Sequence, residues 1–154
     1  MAFEGELLAL MEEALAQARE AGETGDVPVG AVVARDGRIL GRGRNRRLEG
    51  DPLAHAEIEA LRDAARALGS WRLDGCDLVV TLEPCPMCAG AIMQSRIARL
   101  FFGAFDPRAG CCGSLYNLPE DKRFPVRTQV FGGFMQEECA GLLAEFFRKR
   151  RENR

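Results

Sequence analysis

The sequence predicts an α/β protein in which helices cover both faces of a mixed central sheet of about five strands, a three-layer α/β/α arrangement. The main observation is that short β-branched runs alternate with helical segments along the chain. One such run leads into a typical hairpin turn, and two others flank a helix. A chain of 154 residues fits one domain, residues 1–154, which can bury a core without disulfides.

The first third of the chain predicts a helix followed by a hairpin. From Glu6 to Ala21, leucine, methionine and alanine recur at helical spacing among acidic residues, and Gly22 is expected to end the helix. Val27 to Arg35 is predicted to be a buried strand. Asp36-Gly37 is a favoured two-residue turn, so Arg38 to Arg44 should return as the antiparallel partner strand.

Helices and strands alternate through the rest of the chain. A helix that carries His55 and Glu57 near its start should end near Gly69. A strand, helix, strand unit follows, which favours a parallel crossover with ligands at the carboxyl ends of the strands. The predicted elements of this part are a strand at 77–82, a helix from Pro86 toward Arg96, a strand at 99–103, a Gly-rich loop at 106–118, a short strand at 126–131 and a final helix at 136–151.

Charge is segregated along the chain, although the formal net charge is only -2. Residues 1–26 carry seven acidic residues and one arginine. Residues 35–47 carry six arginines and one aspartate, and residues 148–154 carry four arginines, one lysine and one glutamate. Such basic patches suit the phosphates of a nucleic acid, but basic strands and tails are also common as plain solvated surface.

The cysteines and the N-terminal segment indicate the compartment. The six cysteines show no spacing of a disulfide framework, which favours a reducing environment. The N-terminal segment MAFEGELLAL lacks the basic region of a secretory signal, and no apolar run approaches the roughly 18 residues of a membrane span. We therefore expect a soluble, cytoplasmic protein that does not bind membranes.

Two short motifs predict a metal centre. LAHAEI at 53–58 contains the only histidine, His55, and TLEPCPMC at 81–88 contains Cys85 and Cys88. One imidazole and two thiolates are ligands that zinc prefers, and three protein ligands leave a fourth position for water, as in catalytic sites. If a helix begins at Pro86, both sulfurs lie at its first turn, where free backbone N–H groups favour thiolates.

Glu57 lies two residues after His55, close enough to the metal to act as a general base for its water without being a ligand. Taken alone, C-x-x-C is equally typical of a redox pair or of half a zinc ribbon, and a single histidine is usually an ordinary surface or core residue. H-x-E combined with P-C-x-x-C is, however, the pattern of zinc deaminases.

Further motifs surround these two and extend over nearly the whole chain. They are DVPVGAV at 26–32, GRNR at 43–46, DPLAHAEI at 51–58, AGAI at 89–92, GAFDPRAGCCGS at 103–114 and ECAGLLAEFFRKRR at 138–151. In this order they resemble the bacterial tRNA-specific adenosine deaminase (TadA) family of the cytidine deaminase superfamily. The resemblance implies a cytidine deaminase-like fold and a homodimer with one zinc ion (Zn2+) per subunit. It implies hydrolysis of a cyclic amidine C–N bond, converting adenosine to inosine at the wobble position of a tRNA anticodon, usually the ACG anticodon of an arginine tRNA.

The same resemblance assigns site residues. It implies that His55, Cys85 and Cys88 hold zinc and that Glu57 transfers protons. For the base, it implies that Asn45 contacts the flipped purine, that Val27 lies in the wall of the pocket, and that the backbone near Ala56 and Pro84 contacts the base edge and the attacking water. It implies that Asp106 contacts the neighbouring ribose. A tail that touches the anticodon loop would contain Phe146, Phe147, Arg148 and Arg150.

Several of these residues also have ordinary structural explanations. Asn45 could close a loop, Asp106 could be a turn residue before Pro107, and Phe146 and Phe147 could belong to the core. The adjacent Cys111 and Cys112 depart from the small apolar pair expected in that loop, and they receive no catalytic role.

Two other functions remain open from the sequence. A small-molecule deaminase acting on guanine, cytosine or a nucleotide would share the same zinc core. A catalytically inactive, zinc-stabilised subunit that positions RNA would not need Glu57, which is present. The basic patches and the GAFDPRAG loop favour RNA as the substrate.

Overall fold

A computed structural model describes residues 2–153 of the chain. No helix within that range combines the length and the apolar character that crossing a membrane requires. The elements, in chain order, are α1 (Ala2–Glu23), β1 (Gly30–Arg35), β2 (Arg38–Arg44), α2 (Ala56–Leu68), β3 (Asp77–Leu82), α3 (Pro86–Gln94), β4 (Arg99–Ala104), β5 (Gln129–Gly132) and α4 (Gln136–Glu152), with short 3-10 turns at Arg47–Glu49 and Leu118–Glu120.

The five strands form one mixed sheet in the order β2-β1-β3-β4-β5. β1 pairs antiparallel with both β2 and β3, whereas β4 is parallel to β3 and to β5. In this register Leu82 lies opposite Ala104, so β3 and β4 end together at one edge of the sheet. The predicted fold class, including the parallel β3, α3, β4 unit, is confirmed.

Successive residues of the inner strands face opposite sides of the sheet and form two apolar layers. Val32 and Phe101 pack in the layer that contains α1 and Cys139 of α4. Val33 and Phe102 pack in the opposite layer, which contains α2 and α3. The helices therefore lie in pairs, α1 with α4 on one face and α2 with α3 on the other.

Glycine lets a helix approach the sheet closely on each face. An added Cβ at Gly30 of β1 would collide with the backbone of α1 at Ala14. At Gly43 of β2 it would collide with the backbone of α2 at Ala56 and Ala60. Because Ala56 is the first residue of α2, the absence of a side chain at Gly43 sets where that helix begins relative to the sheet.

Three predicted boundaries in the first third were wrong. α1 begins at Ala2 and not at Glu6. β1 begins at Gly30 and not at Val27, because Pro28 has no N–H to donate and the Val29 N–H donates to the Val27 carbonyl instead, at 2.8 Å. α1 continues through Gly22 to Glu23. Its end is made by Gly25, whose φ of 88° belongs to the left-handed region and lets the Asp26 N–H reach back to the Ala21 carbonyl.

The fifth strand is shorter and later than 126–131. The Thr128 N–H donates to the Pro119 carbonyl, and its hydroxyl donates to the Ile97 carbonyl, so Thr128 is buried just before the strand. Pairing with β4 starts at Gln129 and ends at Gly132. The other predicted strands agree within one residue, and β2 and β3 have the predicted bounds.

Candidate active site

The N-termini of α2 and α3 meet beside the end of β3. His55 is the residue immediately before α2, and Cys85 is the residue immediately before α3. Both have extended backbone, and neither side chain caps its own helix, so the imidazole and the thiol are free to bind a ligand. Pro86 occupies the first helical position of α3, as predicted, and Cys88 follows within the first turn.

The three predicted ligands form one cluster with the spacing that zinc requires. The Nδ1 atom of His55 lies 3.7 Å from the Sγ atom of Cys85 and 3.6 Å from that of Cys88. All three ligand atoms lie within 4.8 Å of one another. Zinc to sulfur and zinc to nitrogen bonds at a tetrahedral angle would separate these atoms by roughly 3.6 Å. The donor set and its spacing therefore both fit zinc.

The ionisation of the cluster favours a cation. A hydrogen bond from the Cys88 thiol lowers the pKa of Cys85 to about 4, and His55 contributes in the same direction. That hydrogen bond, together with burial, raises the pKa of Cys88. The Cys85 sulfur also raises the pKa of His55. Without a metal, Cys85 is therefore a thiolate and Cys88 a thiol. A divalent cation that binds both sulfurs would displace the Cys88 proton.

Glu57 is a buried carboxylate beside the cluster. It is the second residue of α2 and only 4% exposed, and it is not one of the three clustered ligands. Burial raises its pKa from 4.5 to about 7, and the charge of Cys85 acts in the same direction. A carboxyl group with a pKa near neutrality can both accept and return a proton at physiological pH.

Asn45 follows β2 and bridges two parts of the site. Its Oδ1 atom accepts the first N–H of α2, from Ala56, at 3.0 Å. Its Nδ2 atom donates to the carbonyl of Val27 at 3.1 Å. Asn45 therefore ties the start of α2 to the segment before β1, and one Nδ2 hydrogen remains after these two bonds.

A cleft of about 500 Å³ adjoins this region. Val27, Asp106 and Phe147, which the sequence placed at the substrate, lie together in its wall. The Asp106 carboxylate accepts hydrogen bonds from the N–H groups of Arg108 and Ala109. Asp106 is therefore also a turn residue, which was the structural explanation that the sequence allowed for it. The complete lining is Val27, Leu82, Phe105, Asp106, Arg108, Ala109, Leu143 and Phe147.

The other predicted substrate residues are divided between two sides of α4. Arg150 lies with Phe147 and Arg108 around a neighbouring depression. Phe146 lines a different depression beside Arg19 and Pro28. Arg148 pairs with Glu145 and Glu152 of its own helix. Phe147 and Arg150 therefore lie together beside the cleft. Phe146 lines the other depression, although its ring centroid is 5.4 Å from that of Phe147 and 5.8 Å from the Arg150 guanidinium carbon.

The backbone positions predicted to meet the base are engaged within the protein. The Ala56 N–H donates to Asn45, and the Pro84 carbonyl accepts the Cys111 N–H at 2.9 Å. Sequence reasoning also missed Glu83, which is 2% exposed and accepts hydrogen bonds from the loop after β4. The signal for Glu83 was its place between a buried strand and the Cys85 motif, a position that leaves little room for solvent.

Comparison with known proteins agrees with this geometry. Residues 5–104 match the cytidine and deoxycytidylate deaminase zinc-binding region. The chain is 48% identical over 145 residues to the tRNA-specific adenosine deaminase of Bacillus subtilis, covering 94% of this chain and 90% of that protein.

Solved structures show the same relationship. A structure from a study of A-to-I editing by tRNA:A34 deaminases is 46% identical, with a TM-score of 0.85 over 88% of this chain and 99% of that one. Guanine deaminase from Nitrosomonas europaea is 27% identical, with a TM-score of 0.78 over 90% of this chain and 82% of that one. The predicted family is confirmed: the chain belongs to the tRNA-specific adenosine deaminases, within the zinc-dependent cytidine deaminase superfamily.

Proposed function

We propose that this hydrolytic deaminase converts adenosine to inosine at the wobble position of a tRNA anticodon. The observation that carries the proposal is a His/Cys/Cys cluster with zinc spacing beside a buried carboxyl group of pKa about 7. The substrate is inferred from relatives named for tRNA and for its A34 position. An anticodon loop suits such a site because its bases cost less to unstack than those of a duplex.

His55, Cys85 and Cys88 would hold one zinc ion per chain. Bound zinc lowers the pKa of a water molecule and so supplies a nucleophile at neutral pH. Glu57 accepts the proton from that water and delivers a proton to N1 of adenine as oxygen adds at C6. Glu57 then takes the proton of the new C6 hydroxyl and passes it to the exocyclic amine. The C6–N bond breaks, ammonia departs, and hypoxanthine replaces adenine.

Asn45 and Val27 would contact the flipped purine, and Asp106 the ribose next to it. Arg108, Arg150 and Arg151 surround a depression beside Phe147, and within residues 2–153 none of the three arginines forms an ion pair. An aromatic ring among free arginines is the combination that binds single-stranded RNA. We assign the anticodon-loop contact to this surface, with Phe147 and Arg150 as its central residues. Phe146 would support Arg150 through its ring, and Arg148 would reach the RNA only by leaving Glu145 and Glu152.

The resemblance also leads us to propose a homodimer in the cytoplasm whose substrate is the arginine tRNA with an ACG anticodon. The mass of the zinc-loaded protein in solution, measured by light scattering, tests the dimer directly. A mass of one chain at all concentrations would contradict it.

Incubation of the zinc-loaded protein with arginine tRNA bearing ACG, followed by nucleoside analysis, tests the function. Inosine should form at the wobble position and should not form in the same tRNA with guanosine there. Glu57→Ala should keep its zinc and lose turnover because the proton acceptor is gone. Deaminase activity retained in Glu57→Ala would contradict the mechanism.

The principal alternative is a small-molecule deaminase, which the similarity to a guanine deaminase favours. Turnover of free guanine without turnover of tRNA would select it. Bound zinc with no deamination of tRNA, free purines or free pyrimidines would select an inactive RNA-positioning subunit.

A further inference from the structure

Glu83 is a buried carboxylate that the proposed mechanism does not use. It follows β3 directly and precedes Pro84 and Cys85. Only 2% of it is exposed, and none of the ion pairs formed within residues 2–153 includes it. Burying a carboxylate without a cation is unfavourable unless hydrogen bonds compensate, so its partners indicate what it does.

Those partners all belong to the loop that follows β4, residues 106–114. Oε1 accepts the N–H of Asp106 at 2.9 Å and the hydroxyl of Ser114. Oε2 accepts the N–H of Cys112 at 3.1 Å and the N–H of Ser114 at 2.9 Å. Each oxygen therefore receives two donors, which is the full capacity of a carboxylate. Glu83 holds the two ends of the loop with one side chain.

The loop is closely fitted around this carboxylate. A Cβ added at Gly110 would collide with the carboxylate carbon and both oxygens of Glu83. Within the loop, Cys111 is also attached to the Cys85 segment, through its N–H to the Pro84 carbonyl at 2.9 Å. The conformation of residues 106–114 therefore depends on Glu83, and the side of the loop that faces this carboxylate is too closely packed for another arrangement.

We propose that Glu83 is a positioning residue for the RNA substrate. It fixes the loop so that Asp106, Arg108 and Ala109 line the cleft that Val27 also lines. Because Glu83 is two residues before Cys85, one short segment sets both a metal ligand and the substrate wall. The proposal rests on the proposed function, since it takes the anticodon loop to be what this wall contacts.

The test compares zinc-loaded wild-type protein with Glu83→Gln and Ser114→Ala. Glutamine replaces one acceptor oxygen by an amide group that faces N–H donors, whereas Ser114→Ala removes a single donor and leaves the carboxylate in place. Glu120→Gln is the matched control. Glu120 also accepts a backbone N–H, from Val130 at 3.0 Å, but it does not line the cleft.

Three readouts are needed: zinc content, amide hydrogen exchange in 106–114, and kinetics on an arginine anticodon stem-loop. We expect Glu83→Gln to raise KM about tenfold and to speed loop exchange about tenfold, because hydrogen bonds to a charged acceptor are lost. Its kcat should stay within about threefold, and its zinc content should not change. Ser114→Ala should raise KM about threefold, and Glu120→Gln should match the wild type.

Unchanged loop exchange or unchanged KM in Glu83→Gln would overturn the proposal. So would a loss of zinc with a fall in kcat, since Glu83 would then support the metal site and not the loop. If Glu83→Gln does not fold, Ser114→Ala decides by the same criteria. A wild-type protein that leaves tRNA unchanged would refute the proposed function, a result that is separate from the variant comparison.

Discussion

Gly43→Ala is the substitution whose effect the packing of the site predicts most directly. The new methyl group would collide with the Ala56 carbonyl oxygen and the Ala60 nitrogen, both of which belong to the backbone of α2. Backbone atoms cannot turn aside as a flexible side chain can. To regain an ordinary carbon contact, the start of α2 would have to retreat from the sheet by about 1 Å.

The expected destabilisation follows from two opposing contributions. Overpacking against a rigid neighbour costs about 3 kcal/mol. Replacing glycine in a strand recovers about 0.5 to 1 kcal/mol of conformational entropy, so the net loss should be about 2 kcal/mol. The displacement also moves His55 and Glu57 relative to Cys85, and a shift of about 1 Å at a catalytic group lowers turnover by about a hundredfold.

Urea unfolding of the metal-free protein measures the loss of stability. Zinc competition with a fluorescent chelator measures the displacement of His55 from the cysteines as a loss of zinc affinity, and deamination kinetics measure the fall in turnover. Gly41→Ala pushes on the middle of α2, at Ala60 and Ala64, so it should lower stability with a smaller loss of zinc affinity. Gly141→Ala is the control. Its Cβ meets nothing within 4 Å in α4, and it should raise stability by about 0.5 to 1 kcal/mol. Gly43→Ala within 0.5 kcal/mol of the wild type, with equal zinc affinity, would refute the reasoning.

Three further predictions follow from the site. Asn45→Asp keeps the acceptor for the Ala56 N–H but sets an oxygen against the Val27 carbonyl, so urea unfolding should show a loss of about 1 to 3 kcal/mol; an unchanged midpoint would contradict this. In metal-free protein, burial raises the pKa of Glu57 from 4.5 to about 7, so its favourable contribution is complete below pH 4.5 and is lost as pH rises through about 7. Glu57→Gln should therefore gain up to about 3 kcal/mol over the wild type between about pH 5 and about pH 8, and a gap that does not vary with pH would be the contrary result. Removing zinc with a chelator should make Cys85 the first thiol alkylated at neutral pH, because its pKa is lowered to about 4 while burial raises the pKa of Cys139 to about 11. Peptide mapping that finds Cys139 labelled first would disprove this prediction.

The sequence was sufficient for the parts of the molecule that local rules determine. β2 and β3 were predicted at their observed bounds because each begins and ends where apolar alternation meets turn residues. The start of α3 was predicted because Pro86 suits only the first helical turn. The one histidine and the paired cysteines left little choice of ligands, and the structure brings them together.

What the sequence did not reveal depends on contacts between distant residues. The partners of Glu83 lie 23 to 31 residues away, so its place after a buried strand could indicate burial but could not show which groups it binds. The two roles of Asn45 likewise depend on Val27 and Ala56, which the fold brings to it. Phe146 and Phe147, which the resemblance assigns to one RNA-binding tail, lie about 100° apart on α4 because they are adjacent in a helix, so they line different depressions.

Apart from the RNA-contact residues of α4, the side chains with proposed roles come from connections or from the first turn of a helix, and the strands contribute none of them. His55 and Cys85 precede helices, Asn45 follows β2, and Asp106 follows β4. The sheet can therefore stay constant while the connecting segments are exchanged. A library that varies only residues 27, 45 and 105–109 would explore new base and RNA preferences while leaving the metal ligands and the strand interior untouched.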